Sequence, residues 1–473
     1  MRTVLRRTVR AVAAVVAVLL LPVLGAAVSA TAAFGAHYAP GLHGGVPAAA
    51  PVPHDPARPT AVVVVGNRGA EGSDVLAPYE ILAATGRFNL YTVAPQRLPV
   101  PLTGGLDLVP DLTFDELATR TGGAPPDLVV VPQLADTGEP SSAPVTGWLR
   151  TQAAGGAQLL SICTGAGVLA SAGLLDGRPA TAHWLRLPGL ESRYPDVAWV
   201  RGQRVVDDGD VVSTAGILSG VDGTLHVVER FFGADVAADA ADAVGWRHHG
   251  TGAPPPVTTG IAVPDPVAIV NAGYRWDPRL VGVALTDGVG EIELVSVFDT
   301  QAWSLATRTV AVTTDGGPVR SRHGLTFLPR ADLAHAAPEL DRLLVPGTVA
   351  AAARSVPPVP GAPAPEYLHD RPGFAFDAAV ADLARSTDLA TARWTAKVLE
   401  LPTDGLALDG PAWPWVPTLV PVVLALLSAL LFLQIRNLFD NALALPIRKQ
   451  LHSFIPITTE SRPTSCRRSP GLS

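Results

Sequence analysis

Cys163 stands in the run LLSICTGAGVLASAGLLDGRPATAHW, residues 159–184, between an apolar stretch and a stretch of small residues with helical character. The spacing Ser161-x-Cys163-x-Gly165 sets a small residue two places either side of a thiol. That is the steric requirement of a strand–nucleophile–helix elbow. In such an elbow the N–H groups that open the helix favour thiolate over thiol. The competing reading is a buried thiol acting as a small hydrophobe, as most free cysteines do. Thr164, beside the thiol, offers a hydroxyl that can orient water or a ligand but cannot act as a base near neutral pH. Asp74 lies a few residues after the apolar run 61–66. It either caps the helix that its segment DVLAPYEIL introduces or reaches the same edge as the thiol. Glu80 reads as a solvated helix carboxylate, and His226 and Glu229 as the polar face of one helix. His248 and His249 lie in a Gly/Pro-rich stretch with no further ligands at metal-site spacing. No metal and no cofactor are expected.

The elements that must position these groups follow from hydrophobic periodicity. Residues 61–66, 90–94, 127–131, 157–162 and 211–214 are short apolar runs, the pattern of strands buried on both faces. Between them, helical stretches are predicted over 74–86, 113–120 and 145–154, with another from residue 165 and a last one over 220–232. Strand–helix alternation at this spacing predicts an α/β fold with a parallel sheet flanked by helices. Open sheets of this kind place their crevice beyond the carboxyl ends of the strands. Cys163 and Asp74 are therefore expected to converge there.

The run CTGAGVLASAGLLDGRPATAHW, together with STAGILSGVDGTLHVVERFFG, resembles the ThiJ/PfpI family over residues 61–243. The resemblance is strongest to isonitrile hydratases and to the amidase-like sensor domains of AraC-type regulators. It implies a flavodoxin-like, class I glutamine amidotransferase-like fold. It also implies a catalytic set of Cys163 and Asp74, which share or relay a proton, with Thr164 where peptidase-like relatives carry histidine. His183 falls where some members place a histidine near the cysteine; packing in the strand after the elbow is the other reading. Members often carry Pro-Gly-Gly after the strand ending near Val131, and this chain has Pro132-Gln133-Leu134. That departure puts the oxyanion-binding N–H groups in question. The function implied is a hydratase or hydrolase-like attack on a small electrophile, or a small-ligand or redox sensor using the same pocket.

The chain has 473 residues and a net charge of −7, with no basic tract to serve as a nucleic-acid footprint. Residues 246–266 read as a linker. Residues 267–350 read as a truncated, degenerate second copy of the first half of the domain: VGVALTDGVGEIELVSVFDTQAW echoes VVVVGNRGAEGSDVLAPYEILAA, and no second elbow follows. The copy is expected to pack against residues 61–245 as an intramolecular pseudo-dimer, with residues 291–303 at the contact. A Pro-rich linker and amphipathic helices occupy 351–410.

Two uncharged apolar runs bracket the chain. Residues 1–33, opening with Arg2, Arg6, Arg7 and Arg10, read as a signal peptide or an N-terminal anchor, with residues 34–60 as a flexible tether. The small residues at 28–30 favour cleavage. Residues 416–435 are long enough to span a bilayer and follow Trp413 and Trp415, with Arg436, Arg448 and Lys449 beyond. The expected partners are thus a lipid bilayer and a small-molecule ligand. The expected location is the cell membrane, with the main domains outside and residues 436–473 in the cytoplasm. Cys163 and Cys466 then lie on opposite sides and do not pair.

Overall fold

The computed structural model describes residues 2–35, 37–38, 41–42, 53–250, 257, 260–262 and 265–451. Cys466 and the tail beyond residue 451 lie outside the described residues, as do residues 43–52 and part of the 246–266 linker. The chain divides into two bodies. One holds the apolar helices up to Leu24 and from Leu419, and the other runs from Gly25 to Thr418.

The first body is formed by α1 (Arg2–Gly35) and α15 (Trp415–Leu451), both of which extend into the second. The stretches Ala11–Gly35 and Trp415–Phe439 are long and apolar enough to cross a membrane. Within this body the Leu21 backbone N–H donates to Ser428 Oγ at 3.2 Å.

The second body begins with β1 (Thr60–Val64), α2 (Gly72–Ala84) and β2 (Asn89–Ala94). A hairpin of β3 (Val100–Leu102) and β4 (Leu106–Val109) follows, then β5 (Leu112–Thr113) and α3 (Phe114–Arg120). The chain continues through β6 (Leu128–Val131), α4 (Ala143–Ala154), β7 (Gln158–Ser161) and α5 (Gly165–Ser171). After β8 (Pro179–Ala180), α6 (Leu187–Arg193) and β9 (Ala198–Trp199) come β10 (Val205–Asp207), β11 (Val211–Thr214), α7 (Ser219–Phe232) and α8 (Ala234–Ala243).

The main sheet has the order β10-β11-β7-β6-β1-β2-β5, parallel except for β10. Every residue of β1 and β6 is buried, which is why those strands read as unbroken Val and Leu runs rather than alternating ones. The sheet has helices on both faces, and Cys163 stands at the carboxyl end of β7.

A second α/β unit follows α9 (Val267–Tyr274). It comprises β12 (Arg279–Ala284), α10 (Glu291–Trp303), β13 (Thr307–Thr313), the hairpin β14 (Val319–Arg320) and β15 (Thr326–Leu328), and β16 (Ala331–Asp332). Then come α11 (Leu333–Ala336), β17 (Arg342–Val345), α12 (Thr348–Ala353) and β18 (Pro365–Tyr367). Its sheet, β16-β13-β12-β17-β18, is parallel throughout and repeats the order β5-β2-β1-β6 before adding β18. The Pro-rich stretch expected as linker therefore contributes a strand. Beyond it, α13 (Ala375–Ser386) and α14 (Leu389–Leu399) bury Phe376, Leu383 and Leu399 in the main core.

The two units meet along α2 and α10 and through a shared sheet, β14-β15-β4-β3. Phe327 pairs with Leu108, Thr326 with Val109 and Leu328 with Asp107. The helix contact is reciprocal. Glu80 of α2 accepts the Ile292 N–H at 2.6 Å, and Asp299 of α10 accepts the Ser73 N–H at 2.8 Å. The fixed offset that carries Ser73 to Ile292 also carries Glu80 to Asp299. Each helix thus supplies a carboxylate to orphan donors in the first turn of the other.

Glu80 is consequently buried, not solvated as its position on the helix suggested. Glu80, Glu291 and His323 bring ligand-type atoms within 4.8 Å of one another. Arg322, Ser321, His323 and the Ile292 N–H already engage these carboxylate oxygens, so the cluster is held together by the protein itself.

Candidate functional site

The elbow is formed by the steric means its sequence suggested. Cys163 takes a left-handed backbone, φ 57°, unusual for a residue with a side chain and costing on the order of 1 kcal/mol or more. Two residues on, a Cβ at Gly165 would stand 2.0 Å from the Val131 carbonyl oxygen, so only glycine lets α5 start this close to β6. The thiol is 2 % exposed.

Around the thiol the polar groups form a chain. Cys163 Sγ lies 3.5 Å from Gln133 Oε1, which also accepts from Thr164 Oγ1 at 2.6 Å, and the Thr164 backbone N–H points to the sulfur. Gln133 Nε2 donates to Tyr38 Oη at 2.9 Å, and Tyr38 donates to Glu71 Oε2 at 3.0 Å. Trp303 Nε1 donates to the other Glu71 oxygen at 2.8 Å, and His37 Nε2 lies 3.7 Å from Glu71. The Gln133 backbone N–H donates to Asp74 Oδ2 at 3.0 Å. That N–H, a candidate oxyanion donor by sequence position, is therefore engaged. Asp74 Oδ1 is buried with no hydrogen-bond partner among the described residues.

Burial pushes the Asp74 carboxyl well above its ordinary range, and the neighbouring Glu71 charge adds to the shift. Asp299 is raised in the same way, by burial and by Glu71. Glu71 stays low: burial raises it, but hydrogen bonds and charge from His37, with the Trp303 N–H, outweigh that. The thiol is pushed well above its usual value, by burial first and then by the charges of Asp74 and Glu71, against which the Thr164 N–H pulls weakly. This overturns the expectation of a thiolate. α5 has only 7 residues and its amide groups do not offset a buried sulfur among carboxylates. Asp74 does not cap α2 either, because Asp299 of the second unit meets the Ser73 N–H and hydroxyl.

His183 shares a cavity with Cys163 but is not hydrogen-bonded to it. Its Nε2–H donates to the Val398 carbonyl at 2.8 Å, and burial lowers it to about 4, so it is a neutral wall residue. The cavity measures about 430 Å³, and Gln133, Cys163 and His183 are among its few polar lining groups. The rest of its wall comes from five separate stretches, with Ala30 and Phe34 from α1, Leu185, Ala268 and Ile269 from α9, Trp303 from α10, and Trp394 from α14.

Several members of this cluster escaped sequence reasoning. His37 and Tyr38 lie in the segment read as a flexible tether, yet both dock on Glu71, and the Gly104 N–H donates to the His37 carbonyl at 3.0 Å. Glu400 ends α14 in a left-handed conformation, hydrogen-bonds Ser219 Oγ, and is raised by burial to about 7. A Cβ on Gly216 would meet its carboxyl carbon at 2.2 Å. The one available signal was a carboxylate at the end of an amphipathic helix, which does not point to burial.

The chain matches the family model described as the DJ-1/PfpI family over residues 60–230. It is 32 % identical over 170 residues to isonitrile hydratase of Pseudomonas putida, a match covering 35 % of this chain and 68 % of the relative. It is 29 % identical over 152 residues to protein DJ-1alpha of Drosophila melanogaster, covering 32 % of this chain and 67 % of the relative. To the HTH-type transcriptional regulator GlxA of Rhizobium meliloti it is 30 % identical over 192 residues, 39 % of this chain and 55 % of the relative. With the parallel sheet and the elbow at Cys163, these matches show that the chain belongs to the DJ-1/PfpI family.

Proposed function

We propose that this protein is a membrane-anchored, extracytoplasmic member of its family that adds water to a small electrophile through Cys163, in the manner of an isonitrile hydratase. The observation that carries this reading is the pairing of a buried thiol on a left-handed elbow with a buried carboxyl, Asp74, whose Oδ1 has no hydrogen-bond partner among the described residues. An isonitrile carbon accepts a proton before it accepts a nucleophile. Asp74, raised well above its ordinary range, is a general acid of the right kind, and no imidazole base on the sulfur is needed.

In this scheme Asp74 gives its proton to the terminal carbon of R–NC, and the sulfur forms the C–S bond. The S–H proton returns to the carboxylate, leaving R–N=CH–S–Cys163. Water, oriented by Thr164, adds to that carbon. The C–S bond breaks, the sulfur regains a proton, and the N-formyl amine R–NH–CHO departs. Atoms balance as R–NC plus water. His183 takes no proton and shapes the cavity.

The second unit is read as a degenerate copy occupying the place of a dimer partner. Its support is the repeated strand order, the reciprocal Glu80 and Asp299 contacts, and Trp303 both binding Glu71 and walling the cavity. The two apolar helices support the anchored topology.

The test is N-formyl product formation from a simple alkyl isonitrile by the full chain in detergent or vesicles. Activity abolished in Cys163→Ala, with the thermal transition unchanged, is the expected result. Tight binding of the isonitrile with no turnover in the wild type would favour a ligand sensor instead. The raised thiol, which is slow to react by itself, is the observation on that side.

A further inference from the structure

We infer that the ligand of the Cys163 cavity is a molecule with an apolar chain that enters from the lipid phase, past the outer end of α1. This rests on the cysteine chemistry and membrane anchoring proposed above, and adds to them a substrate class and a route.

The cavity wall is nearly all hydrocarbon and aromatic, so a ligand that fills it buries apolar surface rather than making hydrogen bonds. Ala26, Ala30 and Phe34 come from one face of α1, spaced four residues apart. They belong to the apolar stretch Ala11–Gly35, of which about 20 residues suffice to cross the hydrocarbon. The cavity therefore adjoins the last turns of that stretch, at the level where acyl chains meet headgroups.

α9 forms the opposite lip. Gly273 approaches Ala26 so closely that a Cβ on it would lie 3.3 Å from the alanine Cβ, while Ile269 lines the cavity and is 69 % exposed. Trp276, just past α9, is 53 % exposed. A large aliphatic group at the mouth with an exposed tryptophan beside it suits a membrane interface and not an aqueous entrance. Arg186, also on the lining, is exposed and has no ion-pair partner among the described residues, so it can meet the polar end of an amphiphile. The thiol at the polar end of the lining, beside Gln133 and His183, then faces the reactive carbon.

The test uses the full chain in phosphatidylcholine vesicles and a series of N-alkyl iodoacetamides, from methyl to octyl, with the adduct on the Cys163 peptide read by mass spectrometry. Labelling is expected to rise about fourfold per added methylene over the shorter members, as apolar burial predicts. Ala30→Trp, which fills the cavity from α1, should slow the octyl probe at least tenfold and the methyl probe less than twofold. Ala268→Trp fills it from α9 and serves if the first variant does not fold.

An iodoacetamide on a hexyl arm attached to a phosphatidylethanolamine headgroup cannot leave the bilayer and should still label Cys163. Failure of that probe, with free octyl iodoacetamide labelling well, would overturn entry from the lipid. Equal rates across the series would overturn the apolar ligand while leaving the cysteine reading standing. Failure of every probe, methyl included, would remove the reactive cysteine itself and this inference with it.

Discussion

Asp74 and Cys163 are not easily charged together, and that makes their roles separable. With its proton in place Asp74 sets no charge beside the sulfur, so Asp74→Asn leaves the charge around the thiol as it was. The same substitution removes the only acid assigned to the reaction. Alkylation of Cys163 by methyl iodoacetamide at pH 8 should change less than about threefold, whereas turnover of an alkyl isonitrile should fall at least tenfold. A purely structural role for Asp74 would instead appear as a stability loss of about 1 kcal/mol with both rates unchanged. In the wild type, alkylation should keep rising above pH 9, because the thiol is raised from its ordinary range. These residues were legible because elbow spacing is a local property: Ser161, Cys163 and Gly165 are read from one short stretch. The protonation state was not legible, since it is set by Glu71, Asp74 and burial, which only the assembled fold brings to the sulfur.

At the scale of elements, the α2–α10 contact is the part of the architecture most open to test. Asp299 is raised by burial, with the Glu71 charge adding to the shift, while it accepts from Ser73. Asp299→Asn keeps the acceptor and should leave stability within about 0.5 kcal/mol. Asp299→Ala leaves the Ser73 donors unmet in a buried place and should cost about 2 kcal/mol, read from chemical denaturation. Glu80→Ala should cost more than either, because the Ile292 N–H loses its acceptor and Arg322 keeps only Glu293 of its two carboxylates.

The strands and helices of the main sheet could be read in advance because β1, β6 and β7 are apolar runs bounded by turns. The β3–β4 hairpin could not, since strands of three and four residues, with Pro101 in the first and Gly104 and Gly105 between them, carry no periodic signal. The tether was misread for a related reason. Its Pro/Gly/Ala composition indicates flexibility, yet two adjacent rings, His37 and Tyr38, find a buried carboxylate. Their docking also bears on the amino-terminal helix. Cleavage after Ala30 would remove Ala26 and Ala30 from the cavity wall, so the intact mass of the purified protein is expected to include both.

Across the whole molecule, buried carboxylates dominate the response to pH. Glu80 and Glu400 are raised from about 4.5 to about 7, and Asp111 to about 6, in each case by burial first. A folded carboxyl with a raised value holds a proton that the unfolded chain has already released. Stability contributed in this way is present below about pH 4.5 and is lost as pH rises through 7. The thermal transition should therefore fall between pH 5 and pH 8. Glu400→Gln, which needs no proton, should flatten that fall by an amount on the order of 3 kcal/mol, if its hydrogen bond to Ser219 is kept. The faces of α2 and α10 that meet within one chain leave no such surface for a second copy, and the protein in detergent is expected to have the mass of a monomer.

The reciprocal caps also have a consequence for how this sequence can change. In a dimer of identical chains, one codon writes both halves of a symmetric contact, and every substitution there is suffered twice. Here Glu80 and Asp299 are written separately. One end sets a glutamate against Arg322, while the other sets a shorter aspartate against Ser73. Each contact can drift without breaking its twin. A change in one contact thus leaves the other, and the elbow at Cys163, as they were.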